Sequence, residues 1–147
     1  MTRKVSVLIT AIFTVLLLQT QINAQPRVAA GDILVGEIEG IQSRFLTCCF
    51  GVRLEIASVS ETGEISGIAN VTPRDGSEIR SVPFTGKVSG SGVTFTPEGA
   101  FKFPSSGSLQ WKEGTLVGQY TIETSKPGLQ LTGKIKLAPL TQKSEAR

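Results

Sequence analysis

The chain has 147 residues, with 15 Lys and Arg against 12 Asp and Glu, which gives a formal net charge of +3. Histidine is absent, which excludes Ser-His-Asp and Cys-His catalysis and histidine-based zinc sites. Two cysteines are too few for a four-cysteine zinc site or a multi-bridge disulfide scaffold.

The first 24 residues have the order of a secretory signal. Arg3 and Lys4 precede an apolar stretch from Val5 to Leu18, and a polar segment follows that ends at Ala24. As a helix, the apolar stretch would span about 21 Å, short of a hydrocarbon core of about 30 Å. We therefore expect residues 1–24 to be a cleaved signal peptide and the protein to be secreted or periplasmic. An uncleaved membrane anchor is the alternative.

Removal of the signal changes the charge of the chain. It leaves 147 − 24 = 123 residues and, without Arg3 and Lys4, a net charge of +3 − 2 = +1. The remaining cations are scattered and form no basic run or stripe. Nucleic-acid binding requires a clustered positive field, so we expect no nucleic-acid partner. We also expect no membrane partner after signal cleavage.

The mature chain divides into a short N-terminal segment (25–31), a single β domain (32–139) and a polar tail (140–147). In the domain, apolar and polar residues alternate with period two between turn signals, which is typical of strands with one buried face. The candidate strands run over 33–41, 52–56, 64–72, 82–88, 93–95, 101–103, 109–111, 116–122 and 129–137. The turn signals fall at Ser60–Gly63, Pro73–Gly76, Ser89–Gly92, Glu113–Gly114 and Lys126–Gly128. Eight or nine short strands without a helix predict an all-β fold.

A weak internal repeat bears on the choice between barrel and sandwich. Residues 63–67 (GEISG) resemble 114–118 (GTLVG), and residues 84–88 (FTGKV) resemble 131–135 (LTGKI). Glycines repeated inside strands mark bends or close backbone approach, which closed barrels need to coil their strands. We expect a small antiparallel up-and-down meander barrel of about eight strands, with a β-sandwich as the alternative.

The C-terminal hairpin carries a family resemblance. The segment Gly114–Tyr120 (GTLVGQY), followed by Leu131–Gly133 (LTG), resembles the meander hairpins of avidin- and streptavidin-type barrels and of other small secreted bacterial barrels. The resemblance covers about the last 60 residues and implies a barrel. The avidin family lines its biotin pocket with several tryptophans, whereas this chain has Trp111 alone. No biotin-binding residue is therefore carried over.

Cys48 and Cys49 are adjacent, and three interpretations stay open for them. One cysteine could pack in the core while its neighbour faces outward, because adjacent strand residues point to opposite faces. The pair could instead bond to another chain, or form a vicinal disulfide that acts as a redox element.

Two carboxylates are the only candidates for catalysis. Glu37 and Glu39 lie two apart on one strand face, about 7 Å from each other, within the range of an inverting glycosidase pair. A solvated strand face explains the same spacing, so no catalytic residue is assigned. Asp32 and Asp75 lie in no calcium-loop pattern, and no metal ligand or cofactor is assigned.

The aromatic residues supply the candidate ligand contacts, because an eight-stranded barrel can hold one small apolar ligand. The candidates are Trp111, Tyr120, Phe101 and Phe103, and the alternative is that aromatic side chains fill the lumen completely. Trp111 alternates with polar neighbours, so we expect its indole to be partly buried, packed over Gly118 and near Tyr120.

Three classes of function compete. The first is an exported, non-catalytic barrel that binds a small apolar ligand or a protein partner. The second is a structural or interaction domain with a filled core. The third is a hydrolase that uses carboxylates alone. The scarcity of activated side chains favours the first two classes over the third.

Overall fold

A computed structural model describes residues 27–40, 49–73 and 79–140 of the chain. Its strands are β1 (Ile33–Glu39), β2 (Phe50–Val59), β3 (Glu64–Pro73), β4 (Arg80–Ser89), β5 (Gly92–Pro97), β6 (Ser105–Lys112), β7 (Thr115–Glu123) and β8 (Gln130–Pro139). The expected signal peptide and the 74–76 part of the expected turn at Pro73–Gly76 lie outside the described residues. So do Cys48 and residues 141–147 of the tail.

The eight strands form one closed barrel in sequence order. Each strand is antiparallel to the next, and β1 closes the barrel against β8. The described residues contain no helix. The expectation of an all-β, up-and-down meander barrel is therefore confirmed, and the alternative of a sandwich is wrong.

Two strand predictions need correction. The first strand ends at Glu39 and does not reach Ile41, which lies outside the described residues. Residues 101–103, one of the nine candidate strands, form bends in the connection between β5 and β6. Three residues with an apolar–charged–apolar pattern are too few to distinguish a strand from a loop that tucks two aromatic rings inward.

The connections differ between the two ends of the barrel. Those from β2 to β3, β4 to β5 and β6 to β7 are tight, as at Glu113 and Gly114, where φ values of 51° and 77° fit a two-residue hairpin turn. The other four connections (β1 to β2, β3 to β4, β5 to β6 and β7 to β8) are longer, and the strand ends that lead into them lie at the opposite end of the barrel. We call this second end the mouth.

Strand glycines allow the close strand contacts that the internal repeat predicts. A Cβ atom on Gly67 would lie 1.9 Å from the carbonyl oxygen of Glu55 on β2. A Cβ atom on Gly118 would lie 1.9 Å from the carbonyl oxygen of Ser108 on β6. Both equivalent positions of the repeat therefore require glycine, and the interpretation of these glycines as points of close approach is confirmed.

Aromatic side chains fill the middle of the barrel. Phe84, Phe95 and Tyr120 are each 1% exposed. The rings of Phe84 and Phe95 meet edge to face at 6.2 Å, and the rings of Phe95 and Tyr120 lie 5.9 Å apart. The Phe95 ring occupies the space beside Gly107, where a Cβ atom would come within 2.1 Å of it. These rings close the lumen between its two ends.

Candidate functional site

An apolar cavity of about 900 Å³ opens at the mouth, above the aromatic residues that fill the middle of the barrel. We call this cavity the cup. Its apolar wall consists of Phe50, Val71, Pro73, Ala100, Phe101, Phe103, Ile122, Leu129 and Leu131. The wall combines strand ends with the β5–β6 and β7–β8 connections. The longer connections thus extend the barrel wall beyond its filled middle.

The floor of the cup consists of packed aromatic rings and one internal polar pair. Phe101 in the wall contacts the ring of Tyr120 beneath it, with centroids 6.0 Å apart, and meets the Phe50 ring edge to face at 5.3 Å. The Tyr120 and Ser105 hydroxyls form a buried hydrogen bond of 2.7 Å. Ser105 and Tyr120 therefore satisfy each other, and no buried side-chain polar atom in the described part of the chain lacks a partner.

Burial raises the pKa of Tyr120 to about 12, and the hydrogen bond with Ser105 opposes part of that rise. The phenol is consequently neutral throughout the physiological pH range. It packs at the floor of the cup against the rings of Phe95 and Phe101.

Charged side chains surround the cup. Of the residues that the structure describes, Arg80, Lys102 and Lys126 line it together with a single carboxylate, Glu123. The Arg80 guanidinium donates a hydrogen bond of 3.2 Å to the carbonyl oxygen of Ala100, and the Lys102 ammonium lies 5.7 Å from the centroid of the Phe103 ring. The rim therefore presents more positive than negative charge over an apolar interior.

The structure brings two of the four aromatic candidates into the cup wall and a third beneath it. Phe101 and Phe103 line the cup, and Tyr120 lies directly under Phe101. Trp111 lies near the other end of the barrel, beside Arg27 and Asp32. A ligand in the cup would therefore not touch the indole.

The prediction about the neighbours of Trp111 is only partly correct. The indole is half-buried against the core, as expected. In the register, however, Trp111 lies opposite Leu116 and Gly118 lies opposite Leu109, so Gly118 is a diagonal neighbour of Trp111 and not its direct partner. Tyr120 pairs with Gly107, and about 13 Å of strand separates it from Trp111 along the barrel. Trp111 and Tyr120 therefore share a hairpin face but do not lie near each other.

Several cup residues lie outside the set expected from the sequence, and Arg80 is the most informative of them. On β4 the alternation of Val82 and Phe84 toward the interior continues back to Arg80, which is the first residue of the strand. That alternation could have identified an inward-facing cation at the end of the lumen. Lys126 and Leu129 lie in a connection, where no periodicity predicts direction.

Glu37 and Glu39 lie on the outer face of β1, both exposed. In the register with β8, Glu37 lies opposite Lys136 and Glu39 opposite Lys134. The two carboxylates border a shallow groove on the outside of the barrel together with Cys49. They face the cross-strand lysines of a solvated sheet and not the cup.

Cys49 is disulfide-bonded and has a φ of 75°. It precedes β2 and lies beside Glu37 and Glu39 in the outer groove. The other cysteine of the chain, Cys48, lies outside the described residues.

The described residues contain no group of three or more His, Cys, Asp or Glu side chains placed to hold a metal ion. In the same part of the chain, no helix has the length and apolar character needed to cross a membrane.

Solved structures of similar fold include avidin-like barrels. Apo shwanavidin superposes with a TM-score of 0.58 at 16% identity, covering 78% of this chain and 97% of that chain. The biotin complex of a shwanavidin point variant gives a TM-score of 0.58 at 17% identity, covering 78% of this chain and 98% of that chain. No family model matches the sequence, and neither does any curated protein. The likeness establishes an avidin-like barrel fold.

Proposed function

We propose that this protein is a non-catalytic binding protein whose cup holds one small, largely apolar molecule. The observation that carries the proposal is the cavity of about 900 Å³ at the mouth of an otherwise filled barrel. That volume lies within the usual range of small-molecule sites, and such sites are mostly apolar with a few polar groups. The mouths of β-barrels are among the places where such sites occur.

The fold neighbours support a binding role, since one of them is a biotin complex. Biotin itself fits the described cup poorly. Its ureido ring carries hydrogen-bonding groups that lose free energy when they are buried without partners. The buried polar side chain in the described interior is Ser105, which already bonds Tyr120. We therefore propose an apolar ligand in place of biotin.

We further propose that binding takes place outside the cytoplasm. The support is the order of residues 1–24, with cations, an apolar stretch and a small residue at Ala24. N-terminal sequencing of the exported protein should give a chain that begins at Gln25, allowing for cyclisation of that residue. A chain that still begins at Met1 would contradict cleavage.

A neutral, apolar fluorescent probe such as aminoanthracene tests the site. We expect saturable binding of one probe per chain, and about fivefold to tenfold weaker binding by Leu131→Gln, because a polar group then replaces part of the apolar wall. Ile68→Gln is the matched control: Ile68 is 42% exposed and lies outside the cup, so its replacement should leave binding unchanged.

The same experiment distinguishes the proposed function from the competing functions. If the probe does not bind, the result favours a structural or interaction domain over a binding protein. A hydrolase that uses Glu37 and Glu39 predicts a different result, namely turnover that Glu39→Gln abolishes. We expect no effect of Glu39→Gln on probe binding, because this carboxylate lies opposite Lys134 on the outer face.

A further inference from the structure

We infer that the ligand of the cup is an anionic amphiphile: a single apolar chain or ring system that ends in a carboxylate or a similar anionic group. The apolar part would fill the cup, and the anionic group would lie at the rim beside Arg80. This inference rests on the proposed function and adds the chemical class of the ligand.

The first observation is the charge of the rim. Among the described residues, three cations, Arg80, Lys102 and Lys126, line the cup against one carboxylate, Glu123, which is a formal excess of 3 − 1 = 2 positive charges. Glu98 lies at the same end of the barrel but does not line the cup. The mature chain carries a net charge near zero, so this excess is a local feature of the described residues that line the cup.

The second observation is that four other cations of the barrel wall lie opposite or beside an acidic residue, whereas Lys112 lies opposite Thr115. Lys134 and Lys136 lie opposite Glu39 and Glu37 across the β1–β8 pair. Lys87 lies opposite Glu64 across the β3–β4 pair. Arg53 forms a salt bridge of 2.9 Å with Glu55. Opposite charges paired in this way stabilise the sheet itself, whereas the excess charge at the rim has no such explanation.

The third observation concerns Arg80. It begins β4 on the lumen side, in the same alternation as Val82 and Phe84. Its guanidinium donates to the carbonyl oxygen of Ala100, a buried residue of the cup wall, at 3.2 Å. The guanidinium has five N–H donors, and this bond leaves other N–H groups of Arg80 for an anion. The bond also holds the side chain over the cup.

The physical consequence is a site with two parts. The apolar wall favours methylene or ring atoms and gives no direction to the ligand. The cationic rim favours an anionic end group and orients it toward solvent, where its hydration is partly retained. A cationic amphiphile of equal length would meet repulsion at the same rim. Specificity therefore arises from the rim, and affinity arises mainly from the wall.

Calorimetric titration of the full mature chain tests the inference. The three probes have equal chain length, and each is used below its critical micelle concentration. The probes are decanoate, methyl decanoate and decyltrimethylammonium. We expect decanoate to bind about tenfold more tightly than the methyl ester at low salt, as three exposed charge contacts allow. The difference should largely disappear at about 1 M salt, where the screening length is about 3 Å.

Variants at two positions of β4 test whether the preference for decanoate arises from the rim. Arg80→Gln should reduce the preference for decanoate by about threefold, and Arg80→Lys should retain most of it. Lys87→Gln, on the outer face of the same strand, should leave it unchanged. Circular dichroism and thermal unfolding of each variant show whether the barrel is intact. The variant Lys126→Gln repeats the test at a residue of the rim that lies outside the sheet.

Each result decides between defined alternatives. Equal affinity for decanoate and its methyl ester, or tighter binding of the cationic probe, would overturn the inference and leave the proposed function standing. No binding of any of the three probes would contradict the proposed function itself. Retention on anionic phospholipid vesicles without binding of free decanoate would overturn the inference in favour of a membrane surface.

Discussion

Tyr120 shows how one side chain joins packing to a measurable property. It is the only tyrosine of the chain, and its hydroxyl lies in the buried pair with Ser105. Burial raises its pKa to about 12, against 10.0 for an exposed tyrosine. The folded state therefore favours the neutral phenol more strongly than the unfolded state does. Its contribution to stability is complete below pH 10 and is lost as the pH rises toward 12.

We expect this group alone to lower the free energy of unfolding by roughly 2 kcal/mol between pH 10 and 12. The tyrosinate absorbance of the folded protein should titrate near pH 12, and that of the denatured chain near pH 10. The double variant Tyr120→Phe/Ser105→Ala removes both hydroxyls and is the control, because the lysines still titrate in it. The prediction is wrong if wild type and double variant lose stability equally over this interval.

At the scale of strands and hairpins, the sequence predicted what depends on alternation and on turn chemistry. Inward residues such as Leu34 and Leu54 are buried, and the turn at Glu113 and Gly114 lies between β6 and β7. Period-two patterns and glycine signals are local, so they could be recognised without a structure. The position of a residue along the barrel axis is not local, which explains why Trp111 was wrongly expected near Tyr120.

The register of β6 and β7 leads to a prediction about Gly118. A Cβ atom there would lie 1.9 Å from the Ser108 carbonyl oxygen and 2.7 Å from the Leu109 Cα atom, so Gly118→Ala must displace the backbone. We expect a loss of about 1–3 kcal/mol or more, measured by urea denaturation.

Gly51→Ala is the matched control for this substitution. Its Cβ atom would lie 3.6 Å from the Cβ atom of Thr72, an ordinary contact. The chain entropy lost with glycine should make this variant as stable as wild type or slightly more stable. Equal destabilisation of the two variants would show that the loss of any strand glycine is harmful, and that close approach is not the cause.

The cup residues were predicted less completely than the barrel. Phe101 and Phe103 were expected as ligand contacts because of their chemistry, although the strand assigned to them is wrong. Lys126 and Leu129 reach the cup from the β7–β8 connection, whose path depends on how the two strands end. Loops carry such residues without periodicity, and their direction is set by tertiary packing.

For the molecule as a whole, Trp111 lies far from the cup. Its emission can therefore report the unfolding of the barrel without reporting direct contact with a ligand in the cup. The sole tryptophan lies near the other end of the barrel, with the ring layer of Phe84, Phe95 and Tyr120 between it and the mouth. A ligand that occupies the cup should leave the native emission maximum of Trp111 unchanged.

The same ligand should raise the unfolding temperature, because it binds the folded barrel and not the unfolded chain. At a concentration of about 100 times its dissociation constant, the added stability is about 2.7 kcal/mol, which corresponds to roughly 10 °C for a domain of this size. Thermal unfolding followed by tryptophan emission, with decanoate as the probe, measures both quantities in one experiment. A shift in the native emission without a rise in the unfolding temperature would place the ligand at the end of the barrel that contains Trp111.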